Sequence, residues 1–303
     1  MRNRRLGHLI NALAGAAFLA LAGGASAQVT PASEAQRAQA VEIYRRVVEM
    51  DSSVEGLRTP EMANYLADQF RAGGFPAEDV HVLPFEQTAS LVVRYRGDGT
   101  GGRPILLMAH MDVVTAHRAD WERDPFSFIE EGGYFFGRGS LDNKAGLVSI
   151  TSTFLQLRAE GFTPTRDLII AFTGDEETSG QTATMLVRDH RDLIDAEFAL
   201  NSDAGGGALN EETGAATSYF MQTAEKSYAS YTLTARNEGG HSSQPRPDNA
   251  IYELADALQR VRAYAFPVMW NDTTIASMRA TGQTARTPWA RRPSSASTGA
   301  AVR

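Results

Sequence analysis

The chain has 303 residues, 43% hydrophobic and 21% charged, which is apolar material for one or two cores and too much for a disordered or fibrous chain. A formal net charge of -7, with no compact basic stripe interleaved with aromatics, argues against nucleic acid as a partner, since such a face must replace phosphate counterions. There is no cysteine, so disulfides cannot contribute to stability even in an oxidising compartment.

Residues 1–27 read as a secretory signal peptide. MRNRR supplies positive charge, LINALAGAAFLALAGG an apolar stretch, and ASA ending at Ala27 a small-residue cleavage site. The run is shorter than the roughly 20 residues that span a bilayer, and no second stretch of that length follows. The expectation is a periplasmic or secreted protein with no stable membrane span after signal cleavage.

Ser33 with Gln36 forms a capping-box pattern, and Val41, Tyr44, Val47 and Val48 follow at helical spacing. Thr59 and Pro60 start a second helix that stops at Gly73 and Gly74. DVHVLPF and SLVVRYR read as strands. The pattern then alternates: strand PILLMAH, helix from about Lys144 to Glu160, strand RDLIIAF, helix near Ser179 to His190, strand AEFALNS. Near-continuous apolar strands separated by helices predict an α/β fold, a mostly parallel sheet with helices on both faces. Near Glu225 the register changes. SYASYTLTARNEGG alternates as a half-exposed strand would, and Pro247 to Tyr264 has Ile251, Leu254, Leu258 and Val261 on one helical face, which predicts a second, smaller domain. TARTPWARRPSSASTGAAVR has no periodicity and reads as an unstructured tail.

In sheets of this kind ligands bind beyond the carboxyl ends of the strands. MAHMDVV places His110 and Asp112 two apart after one strand, so that a carboxylate on that side can hold the far ring nitrogen of a metal-bound imidazole. GRGSLDNKAG offers Asp142 just ahead of a helix, GDEETSG carries Glu176 and Glu177 after the next strand, and NSDAGGG carries Asp203 after the third. Each has an ordinary alternative as a turn, cap or surface residue. Their joint occurrence after successive strands favours a shared site. One imidazole with hard oxygen donors suits zinc, manganese or cobalt, and a shared carboxylate is how two such ions sit close together. A free carboxylate can then act as general base, which divides the labour between the adjacent glutamates. A nucleotide-binding reading is weak, because Lys144 does not stand in Gly-Lys-Ser/Thr order.

MAHMDVV, DPFS, GRGSLDNKAG, GDEETSG, NSDAGGG and GGHSSQP, in that order, resemble the motifs of the di-zinc metallopeptidase family that contains glutamate carboxypeptidase, aminoacylase and succinyl-diaminopimelate desuccinylase. The resemblance covers roughly residues 35 to 280. It implies two zinc ions per chain, with Co2+ or Mn2+ able to replace them. His110 and Asp203 would hold one ion, Asp142 would bridge, and Glu177 would hold the second. It further implies Glu176 as general base, Asp112 as the partner of His110, and His241 as an oxyanion-stabilising residue that reaches a partner subunit's site from a lid used for homodimerisation. The implied substrate is a peptide or N-acyl amino acid, cleaved at its amide bond. On this basis residues 28–224 form a catalytic α/β domain, 225–283 a partial lid or dimerisation domain, and 284–303 a disordered or out-of-frame tail. The chain departs from the pattern in one respect: His241 is the last of its six histidines, so no late histidine completes the second zinc. The expectation is a truncated or frameshifted member, and a non-catalytic remnant with at most one metal is the alternative.

Overall fold

The computed structural model describes residues 32–203, 206–210, 212–225 and 227–284. The expected signal peptide and the tail beyond Thr284 lie outside the described residues. The chain divides into two compact units, Met1–Asp203 and Ala204–Arg303.

In the first unit, α1 (Glu34–Val48) begins with a complete capping box, Ser33 accepting from the Gln36 N–H at 3.2 Å and Gln36 from the Ser33 N–H at 2.7 Å. α2 (Thr59–Ala72) has Pro60 in its first turn and buries Met62, Ala63, Leu66, Ala67 and Phe70 on one face. Then come β1 (Val80–Phe85), β2 (Thr88–Tyr95), β3 (Ile105–His110), β4 (Ile129–Glu131), β5 (Tyr134–Phe136), α3 (Lys144–Ala159), β6 (Leu168–Thr173), α4 (Gln181–Asp189), α5 (Arg191–Ile194) and β7 (Phe198–Asn201).

The main sheet has the order β1-β2-β6-β3-β7. Its β6, β3 and β7 are parallel, with His110 opposite Thr173, whereas β1 and β2 form an antiparallel hairpin added along β6. Side chains alternate between two cores, as strand geometry requires. Leu91, Val93, Ile170 and Phe172 join α1, α2 and α3 on one side; Val92, Leu106, Ile169 and Ala171 meet Leu186, Leu193 and Ile194 of α4 and α5 on the other. Helices therefore cover both faces, and the chain has the expected α/β architecture. Each fully buried Leu, Ile or Phe contributes about 1.5–3 kcal/mol, so the two cores carry most of the stability of this unit.

The β4–β5 hairpin was not read from the sequence. Gly132 and Gly133, with φ of 61° and 84°, make its two-residue turn, and the Gly-Gly pair between FSFIEE and YFF is the signal that marks it.

The second unit contains the hairpin of β8 (Gly206–Leu209) and β9 (Ala216–Phe220), followed by α6 (Ala250–Ala263) and α7 (Asp272–Thr284). Asn249 caps α6 by accepting from the Ile251 N–H at 2.9 Å. The alternating stretch expected to be a strand, residues 227–240, is neither strand nor helix. Alternation yields a strand only where another backbone pairs with it, and among the described residues no strand does so. No helix among the described residues is long and apolar enough to cross a membrane.

Candidate metal centre

The parallel register of β6, β3 and β7 brings their carboxyl ends to one edge of the sheet. His110 is the last residue of β3, Glu176 and Glu177 follow β6, Asp203 follows β7, and Asp142 stands one residue before Asn143, the N-cap of α3. Two sets of side chains converge there, His110 with Asp142 and Glu177, and His110 with Glu176 and Asp203, the ligating atoms of each set lying within 4.8 Å of one another. His110 Nε2 is 2.9 Å from Asp142 Oδ1, 3.7 Å from Asp203 Oδ1 and 3.9 Å from Glu176 Oε2.

His110 is 2% exposed, and its ring is fixed from behind. Nδ1 lies 2.9 Å from the main-chain carbonyl of Asp112. A carbonyl only accepts, so Nδ1 carries a proton and the neutral ring turns its Nε2 lone pair toward the carboxylates. That arrangement is repulsive unless a proton or a cation lies between them. Burial opposes a charged imidazole, but Asp112 and Asp203 outweigh it and raise the His110 pKa to about 9. The same convergence of negative charge favours any cation placed among these oxygens.

The carboxylate of Asp112, 3.5 Å from Nδ1, has a further task. Its Oδ1 accepts from the Glu176 N–H at 3.0 Å and its Oδ2 from the Glu177 N–H at 2.9 Å. One buried carboxylate thus holds both the histidine side and the glutamate side of the cluster. Glu176 and Glu177 are each raised above the ordinary carboxylate range, first by burial and then by neighbouring carboxylates, while His110 pulls both down.

Three of the loops of the cluster are also tied to the amino-terminal part of the chain. Ser52 donates to the Met111 carbonyl at 2.8 Å, Tyr44 donates to the Ser140 carbonyl, and Thr88 donates to the Gly174 carbonyl at 2.5 Å. Lys144, fully buried, donates to the Met50 carbonyl at 2.9 Å, and burial pushes its pKa down to about 7. Ser202 beside Asp203 donates to Asn143 at 3.0 Å. Gly146 makes this approach of α3 feasible, because a Cβ there would lie 2.4 Å from Ser202 Oγ.

Of the residues singled out in the sequence, His110, Asp112, Asp142, Glu176, Glu177 and Asp203 come together in the first unit. His241 belongs to the second, where it is exposed. Its Nδ1 accepts from the Ser243 N–H at 3.2 Å, so in the neutral ring the proton is on Nε2. Sequence reasoning missed Asp175 and the tethering residues Tyr44, Ser52 and Thr88. Asp175 accepts from N–H groups six and seven residues on, beyond the reach of the local capping pattern, and the tethers carry no local pattern either.

Fold and cluster together define an α/β protein with a carboxylate–imidazole centre beyond the ends of parallel strands, a donor set suited to a divalent ion. The profile of Peptidase family M20/M25/M40 matches residues 106–298, and the chain belongs to that family. Membership implies the use of a divalent metal, and the donor chemistry described above fits one. The chain is 31% identical over 180 residues to N-fatty-acyl-amino acid synthase/hydrolase PM20D1 of Mus musculus, covering 58% of this chain and 35% of that protein. It is 29% identical over 218 residues to a probable succinyl-diaminopimelate desuccinylase of Staphylococcus aureus, covering 71% and 50%. Human carnosine dipeptidase 1 has a similar fold, with a TM-score of 0.50 at 22% identity over 58% of this chain and 41% of that one. The chain thus spans about a third to a half of the length of these relatives.

Proposed function

We propose that the chain carries the centre of a metal-dependent amidohydrolase, with zinc as its ion and a peptide or N-acyl amino acid as its substrate. The observation that carries this reading is the convergence of four carboxylates about the ring of a buried histidine, three of them within 4 Å of Nε2, while Nδ1 is already committed to a carbonyl. His110, Asp142, Glu177 and Asp203 would hold metal, which when bound supplies Lewis acidity toward a carbonyl oxygen and acidifies water. Glu176 takes a proton from the attacking water and passes it to the leaving nitrogen. Asp112 keeps His110 and both glutamates in mutual register. In a homodimer paired through the second unit, His241 would donate from its Nε2–H to the oxyanion developing in the partner subunit's site.

The same reading takes the first unit as the catalytic domain and the second as a partial lid that pairs two copies, an assignment supported by the exposure of Ile251, Leu258 and Val261 on α6. It also takes the chain as exported to the periplasm or outside the cell, on the strength of residues 1–27. The names of the relatives, an N-fatty-acyl-amino acid synthase/hydrolase and a desuccinylase, favour acylated amino acids over plain peptides.

A second reading, a centre with a single ion and no turnover, has an observation in its favour. Among the described residues both converging sets depend on the same histidine. Metal content of the purified chain, measured with turnover of N-acyl amino acids and dipeptides, separates the two. Turnover that falls about 100-fold or more in Glu176→Gln, with metal content unchanged, is the expected result. One ion or none, with no hydrolysis, supports the second reading.

A further inference from the structure

Residues 174, 175, 178 and 179 line one wall of an open pocket of about 160 Å³, whose other walls include Ser52, Thr59, Thr88 and Asp112. Hydrogen bonds to one buried side chain hold the loop that carries the two glutamates. Asp175 is 8% exposed; its Oδ1 accepts from the Thr182 N–H at 3.0 Å and from the Thr182 hydroxyl, and its Oδ2 accepts from the Gln181 N–H at 2.7 Å and the Ser179 hydroxyl at 2.5 Å. The Thr182 oxygen in turn accepts from the Gly174 N–H at 3.1 Å, so the residue before the acidic stretch is joined to the first turn of α4 behind it. The Asp175 carbonyl accepts from the N–H groups of Thr178, Ser179 and Gly180. Asp175 thereby closes the loop, while Asp112 holds the N–H groups of Glu176 and Glu177.

We propose that Asp175 is a positioning residue of the metal centre, which sets the direction of Glu176 and Glu177 by closing the 174–182 loop and does not itself touch metal or substrate. A carboxylate is required there for a chemical reason. Each of its two oxygens accepts from one main-chain N–H and one hydroxyl, and an amide, whichever way it is turned, would set its NH2 group against one of those N–H groups. Placing a third acid beside two others is otherwise unfavourable, and the four hydrogen bonds offset that cost.

The inference rests on the metal-centre reading, and binding of Co2+ to the full chain tests the two separately, by calorimetry and by the visible absorption of the bound ion. Asp175→Asn and Asp175→Ala are expected to weaken Co2+ binding about tenfold or more and to change the absorption band, as loss of a supporting partner does. Thr182→Val, which removes one donor to Asp175 together with the acceptor of the Gly174 N–H and leaves Asp175 in place, is expected to weaken it by about threefold and carries the decision if neither Asp175 variant folds. Leu66→Ala, a core change remote from the loop, is the reference: its folded form should bind Co2+ as the parent does. Parent-like affinity and spectrum in the folded Asp175 variants, or in Thr182→Val where those do not fold, overturn the proposal. So does an equal loss in Leu66→Ala, which would mark a general loosening. A parent chain that takes up no Co2+ instead overturns the metal-centre reading itself.

Discussion

Asp112 shows how much one buried side chain does in this cluster. Read in the sequence, it is the residue two after a histidine, on the same side of an extended backbone. In the structure its carbonyl fixes the ring of His110 and its carboxylate holds the N–H groups of Glu176 and Glu177. An amide there supplies only one acceptor, so Asp112→Asn should lower kcat/KM and Co2+ affinity by about 10- to 100-fold, and parent values in both would remove Asp112 from the centre. Away from the cluster, Asp167 offers a separate test of charge. Burial raises its pKa, but the Gly97 N–H at 2.8 Å and the Arg94 guanidinium at 2.8 Å outweigh that and hold it below the ordinary range. A carboxyl whose folded pKa is depressed stabilises the fold above its unfolded pKa, and that contribution disappears as pH falls through the folded value. Asp167→Asn should therefore cost about 1 kcal/mol at neutral pH in denaturant titrations, with the gap from the parent closing below about pH 4. A gap that persists at low pH would mean that the pair contributes by shape and not by charge.

At the scale of elements, the periodic helices and strands were legible and the connections were not. The capping box of α1, the Pro-to-Gly limits of α2 and the apolar runs of β3, β6 and β7 are local patterns, so each element lies close to where the sequence predicts it. The alternating residues 227–240 had the strand pattern without a strand, because pairing is not a local property. The tethers Ser52 to Met111, Tyr44 to Ser140 and Thr88 to Gly174 span 59 to 96 residues of chain and follow no period that a sequence displays. They join residues 44–88, outside the region of the family match, to loops that carry the cluster. Ser52→Ala and Tyr44→Phe should each cost about 1 kcal/mol of stability. Each should also weaken Co2+ binding, Ser52→Ala through the 110–113 loop and Tyr44→Phe through the loop that carries Asp142. Loss of stability with unchanged affinity would confine the tethers to folding.

For the molecule as a whole, an ion held at the candidate centre would couple binding to stability in the first unit. An ion that binds only the folded form at about 100 times its dissociation constant adds about 2.7 kcal/mol, so saturating Zn2+ or Co2+ should raise the melting temperature of this unit and chelation should reverse the rise. A melting temperature indifferent to both would argue against a resident ion. The sequence by itself determined the α/β class, the family and a set of candidate site residues, because apolar periodicity and motif order are properties of neighbours along the chain. Only the tertiary structure decided the strand order β1-β2-β6-β3-β7 with its antiparallel hairpin along β6, that a single imidazole stands among four carboxylates, and that Asp112 and Asp175 both hold the glutamate loop. Those facts depend on register and on contacts between residues far apart in the chain, where loop closure and packing, not local propensity, select the arrangement.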